Sequence, residues 1–105
     1  MYRTINSYGE DHDEYENTVV IVRDSQSEGW DIDVACIWVG PGGKGYSLAT
    51  ASGCSCWDGD YRVEDFDTLP ELEQALSLEA DRPYNVSPAR AAVLLDGVYK
   101  WLGRA

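Results

Sequence analysis

The sequence predicts an α+β fold, a three- to four-stranded antiparallel meander packed against two C-terminal helices, and three observations predict it. β-branched or alternating apolar segments fill the first two-thirds of the chain. The breaks between them are too short for the dozen-residue crossover that parallel neighbours need. Two segments with helical apolar spacing, each preceded by an N-cap residue, occupy the last third.

The run Thr18-Val19-Val20-Ile21-Val22 suits a pleated surface and costs a helix side-chain freedom, so a strand is expected over about 17–24. Its unbroken apolar character suggests a central position. After the turn-rich Asp24–Gly29, the residues Trp30, Ile32, Val34, Cys36 and Trp38 alternate with Asp31, Asp33, Ala35, Ile37 and Val39 as a second strand, half exposed at its start. Gly40–Gly45, with Pro41 inside it, reads as a tight connection to a third strand from Tyr46 to about Ser52. A loop and a short fourth strand are expected between Gly53 and Asp67.

Thr68-Leu69-Pro70-Glu71 has the form of a capping box and starts a helix over about 69–79, with Leu69, Leu72, Ala75 and Leu76 on one face. Ser87-Pro88 starts a second over about 88–102. Its buried stripe is Ala91, Leu94, Leu95, Val98 and Leu102, with Tyr99 and Trp101 on the margins and Gly103 as terminator.

With 105 residues one domain is expected, with residues 1–16 a loop or acidic arm in which Glu10, Asp11, Asp13, Glu14 and Glu16 surround the single His12. The apolar fraction of 44% excludes acidic disorder. A net charge of -11 disfavours nucleic acid and anionic membranes as direct partners. Two readings of that charge stand: docking on a basic surface, or solubility alone. The start of the chain lacks a signal-peptide core and no apolar run reaches a membrane span, so a cytoplasmic location is expected.

Three cysteines, with reduced thiols the default, do not resemble a secreted disulfide framework. Cys54 and Cys56 with Cys36 and His12 make an alternative zinc- or thiol-dependent set, but ligands of structural zinc usually come as pairs two to four residues apart, and no second pair exists. Asp58, Asp60, Glu64 and Asp65 miss the calcium-loop pattern at Arg62. No nucleophile elbow, phosphate loop or His-Glu-x-x-His is present, so a non-catalytic protein without cofactor is expected.

The partner-binding residues read from the sequence are Trp57, Asp58, Asp60, Tyr61, Glu64, Asp65, Asp67, Glu71 and Glu73. Their carboxylates can imitate spaced phosphates, since duplex DNA carries about one charge per 1.7 Å, and so compete for a cationic groove of a nucleic-acid-handling complex. Trp57, Tyr61 and Phe66 are either interface anchors or core. Gly53-Cys54-Ser55-Cys56-Trp57-Asp58, followed by Phe66-Asp67-Thr68-Leu69-Pro70-Glu71-Leu72, resembles a pattern in small uncharacterised proteins of bacteriophages and their bacterial hosts. The resemblance covers about 20 residues and transfers no functional residue. It implies an inhibitor of host defence, such as an anti-CRISPR protein, acting in the bacterial cytoplasm.

Overall fold

A computed structural model of the protein describes residues 3–6, 14–15, 18–40, 45–54 and 60–104. The strands are β1 (Arg3–Asn6), β2 (Glu14–Tyr15), β3 (Thr18–Ser25), β4 (Ile32–Val39), β5 (Tyr46–Gly53) and β6 (Asp60–Phe66), followed by helices α1 (Leu69–Ser77) and α2 (Pro88–Arg104). One antiparallel sheet of order β1-β6-β5-β4-β3-β2 holds all of them. The expected meander is β3 to β6. Arg3–Asn6 and Glu14–Tyr15, assigned from sequence to the acidic arm, instead supply the two sheet edges.

The central strands are β4 and β5, paired along their whole length from Ile32 opposite Gly53 to Val39 opposite Tyr46. Expected at the centre, β3 lies next to the edge, where β2 covers only Thr18 and Val19. The apolar run of β3 is only partly covered, with Val19 52% exposed, because the position of a strand in a sheet is set by which segments pair beside it and not by its own composition. The fourth strand is a full one, its pairing running from Tyr46 opposite Phe66 to Thr50 opposite Arg62.

Both helices cover one face of the sheet. Ala35, Ile37, Val39, Tyr46 and Leu48 meet Leu72, Leu76, Val86, Ala91, Leu94 and Val98 there, with Phe66, Leu95 and Trp101 packed at the edge of the cluster. The opposite face carries a second cluster, Val34, Cys36, Trp38, Ala49, Ala51, Tyr61 and Val63. Apolar residues on both faces explain why β4 reads as buried throughout from Val34 onward.

A bulge sets the register of β3. Val20 pairs with Trp38 and Val22 with Ile37, so Ile21 is the extra residue. Because side chains alternate with period two, the insertion reverses which residues face the helices. Val22 and Asp24 turn toward α2, and Arg23 turns away from it.

Thr68 caps α1, its Oγ1 accepting from the Glu71 amide at 3.4 Å. The helix ends at Ser77, two residues before the expected stop, and a 3-10 turn follows at Glu79–Asp81. Arg82 closes that end by donating to the carbonyls of Leu76 and Ser77 at 3.3 Å. Ser87 Oγ accepts from the Arg90 amide at 3.1 Å and opens α2 as expected. Gly103 does not end that helix, which continues to Arg104. Leu102, assigned to the buried stripe, is 37% exposed, while Trp101 packs against the core in its place. Among the described residues no helix is long and apolar enough to cross a membrane.

Candidate functional site

The acid-rich stretch from Asp60 to Glu73 does not lie on one face. Alternation along β6 directs Asp60, Arg62 and Glu64 to the helix side and Tyr61, Val63 and Asp65 to the other. Six residues at about 3.3 Å each put Asp60 about 20 Å from Phe66, so Asp60 sits at one end of the sheet and Asp65, Asp67 and Glu71 near the other.

Several of these groups have internal partners. Arg62 Nη2 lies 3.0 Å from Glu64 Oε1, Ser47 Oγ donates to Asp65 at 2.6 Å, and the Tyr99 hydroxyl donates to Glu73. Asp60, Asp65, Asp67 and Glu71 are solvent-exposed. Tyr61, one of the expected partner-binding residues, is instead core: it is 7% exposed and its ring is tilted against Trp38 with centroids 6.4 Å apart. Phe66 likewise packs against the helix-side core. Trp57 and Asp58 lie outside the described residues, as do His12 and Cys56 of the alternative metal set.

Cys36 and Cys54 are not brought together. Cys36 pairs with Ala49, five positions before Cys54, which corresponds to about 16 Å along the strand, far beyond a shared zinc ion. Cys36 is buried in the second cluster and Cys54 is exposed. Among the described residues no three His, Cys, Asp or Glu side chains converge on a point.

The structure assembles a different constellation around Arg90. Its side chain is 2% exposed, with Nε 2.6 Å from Asp24 Oδ2 and Nη1 2.5 Å from Asp33 Oδ1. It also donates to the carbonyls of Asn85 and Asp24 at 3.0 Å and of Asp33 at 3.2 Å. Asn85 Nδ2 in turn donates to Asp33 Oδ1 at 2.9 Å and to the carbonyls of Val34 and Ala51 at 3.4 and 3.3 Å. Burial pushes the Asp33 carboxyl up, but hydrogen bonds from Arg90 and Asn85 and the Arg90 charge outweigh it and hold its pKa below the ordinary value.

This network joins three segments far apart in sequence at one end of the sheet. Asp24 and Asp33 are the base of the β3–β4 hairpin, Asn85 belongs to the α1–α2 connection, and Arg90 lies in the first turns of α2. From that base the hairpin narrows through Gln26 N to Asp33 O at 2.7 Å and Asp33 N to Ser27 Oγ at 3.0 Å. The amides of Glu28 and Asp31 bond each other's carbonyls at 3.1 and 2.9 Å, leaving Gly29 and Trp30 as a two-residue turn. Gly29 supplies the positive φ of 59° that such a turn requires.

Trp30 therefore projects from the tip of a hydrogen-bonded turn and is 83% exposed. Tyr84, beside Asn85, is 96% exposed. Glu28 and Asp31, either side of the turn, and Glu79 and Asp81, in the 3-10 turn before Tyr84, are all exposed carboxylates. Tyr84 also borders a cleft with Thr4, Ser52, Asp60, Arg62 and Asn85 of about 240 Å³, below the usual size of a small-molecule pocket.

Sequence reasoning missed Arg90, Asn85 and Tyr84 and placed Trp30 in a strand. The available signals were the Glu-Gly-Trp-Asp tetrad, a two-residue turn carrying an indole, and an arginine on the apolar side of an otherwise regular amphipathic helix. The sequence matches no protein-family model, no curated protein and no solved structure.

Proposed function

We propose that this chain is a non-catalytic acidic binding protein that docks on a basic surface of a larger protein, of the kind that otherwise holds nucleic-acid phosphates. The observation carrying this reading is how the charges are used. Arg90 is committed to Asp24 and Asp33, Arg62 to Glu64, Lys100 to Asp96 and Arg82 to the end of α1. Glu28, Asp31, Asp60, Asp65, Asp67, Glu71, Glu79 and Asp81 meanwhile face solvent. Four of the eight basic side chains are thus engaged by groups of the chain itself, and the excess of 19 acidic over 8 basic residues behind the net charge of -11 gives the outer surface its field.

The resemblance of the Cys54 and Phe66–Leu72 segments to phage proteins is in keeping with an anti-defence inhibitor of the anti-CRISPR type in a bacterial cytoplasm. Such an inhibitor would occupy the groove in place of DNA or RNA. Capture of the partner from host lysate at low salt, followed by association kinetics, tests the reading. Between about 0.05 and 0.5 M salt the association rate constant should fall steeply, because steering operates over the Debye length. Replacing Asp60, Asp65, Asp67 and Glu71 together by lysine should slow association at low salt. A rate indifferent to both changes would sink electrostatic docking.

A further inference from the structure

Two aromatic side chains stand almost fully in solvent, and both belong to segments tied to the same buried polar network. Trp30 sits on the hairpin whose base is Asp24 and Asp33, and Tyr84 adjoins Asn85, which bonds Asp33. An exposed indole and phenol add nothing to core packing, and burying a guanidinium with two carboxylates is weak as a source of stability. What the network does supply is position: it ties the two segments that carry the rings to one end of the sheet, which lowers the ordering cost of binding there.

The groups around the rings define what they can receive. Glu28 and Asp31 flank the indole in sequence, and Glu79 and Asp81 precede the phenol, which Asp60, Arg62 and Arg82 also adjoin; Arg62 lies against Glu64 and Arg82 against the end of α1, so the surplus charge around the π faces is negative. That combination favours a cation carried on an apolar stem, which an arginine or lysine side chain provides. An apolar partner face would leave these carboxylates desolvated and unpaired, and a nucleic acid would meet them with like charge.

We infer that Trp30 and Tyr84 are the anchors of the docking surface, receiving an arginine- or lysine-bearing segment of the partner protein at the hairpin end of the sheet. The inference rests on the proposed docking function and locates its anchors at the Asp60 end of the sheet, away from Asp65, Asp67 and Glu71. Arginine stacks on the indole face with its guanidinium reaching the Glu28 and Asp31 carboxylates.

Fluorescence anisotropy of labelled nonaarginine with the full chain tests this, alongside Trp30→Ala, Trp30→Phe, Tyr84→Ala and a variant with Asp65, Asp67 and Glu71, at the other end of β6, changed to asparagine or glutamine. Thermal melts check each variant's fold; both aromatic side chains are exposed, so unchanged midpoints are expected. The inference expects Trp30→Ala and Tyr84→Ala each to weaken binding about tenfold, Trp30→Phe to retain it within about threefold, and the neutralised β6–α1 variant to lose less than either alanine change. Equal affinity of wild type, Trp30→Ala and Tyr84→Ala, with loss confined to the neutralised variant, overturns the anchors while leaving acidic docking standing. Absence of binding to wild type at low salt removes acidic docking itself and the anchors with it. A concentration-dependent dimer in sedimentation that Trp30→Ala abolishes also overturns the inference, because the rings would then meet a second copy of the chain.

Discussion

Arg90 is the residue whose removal the fold should feel most among its polar groups. Replacing it by methionine keeps the stem and leaves Asp24 and Asp33 facing each other without their cation, which should cost about 2–4 kcal/mol in urea denaturation. Both carboxylates retain some contact with water, which keeps the loss below that of a fully buried pair. The same contact gives a pH signature. Since the folded pKa of Asp33 is depressed, its contribution is complete above the unfolded value of about 3.9 and is lost as pH falls through the folded value. Acid titration of stability should therefore steepen below about pH 4 in the wild type and be shallower in Arg90→Met. Gly97 acts through space alone. A Cβ there would lie 2.6 and 2.8 Å from the two γ-methyls of Val22, so the glycine lets α2 rest directly on β3. Gly97→Ala should destabilise despite a helix-propensity gain of about 1 kcal/mol, since overpacking against a stiff valine costs about 1–3 kcal/mol. In a Val22→Ala background the same change should become stabilising, and a sign that fails to reverse would mean that Val22 is not the obstruction.

At the scale of elements, the β3–β4 hairpin and the start of α2 form one mechanical unit. Gly29 holds φ at 59°, so Gly29→Ala should cost about 1–2 kcal/mol and, under the proposal above, weaken capture of a cationic peptide by moving Trp30. Ser87→Ala removes the acceptor for the Arg90 amide and should cost about 1 kcal/mol in thermal or urea unfolding without altering peptide capture. The element pattern was largely legible in the sequence. Strands β3, β4 and β5 and both helix starts followed from local features: β-branched runs, a period of two, and Thr68 and Ser87 before apolar stripes of helical spacing. Edge strands β1 and β2 escaped because four and two residues carry too little periodicity to set them apart from an acidic arm. The helix ends were less visible than the starts, because Gly103 can be carried inside α2 at modest cost.

For the whole molecule, the decisive quantity is a net charge of -11 on a body with a radius of gyration of 13.0 Å. At 0.01 M salt the Debye length is about 30 Å, so every carboxylate senses every other, whereas at 0.15 M it is about 8 Å. Thermal midpoints should therefore rise between those salt concentrations, by roughly 4 °C if self-repulsion contributes about 1 kcal/mol. The same screening should slow association with a basic partner, so salt is expected to act in opposite directions on stability and on docking. The two measurements together separate a charge that steers from one that only keeps the chain dispersed.

By itself the sequence determined the α+β class, the meander and two helices, because period, capping and short connections are local properties of neighbouring residues. It also determined the sign of the surface field, which composition alone settles. Tertiary structure decided where individual side chains of similar chemistry went. Tyr61 became core and Trp30 solvent-exposed, since β6 alternates into a sheet with buried apolar clusters on both faces while a two-residue turn lifts the indole off its end. The single residue inserted at Ile21 decided that Asp24 faces Arg90, and the pairing of strands decided that Asp33 meets Asn85 across 52 positions. The physical reason is register: a one-residue shift reverses every side chain that follows, and no local pattern records which shift the assembled sheet selects.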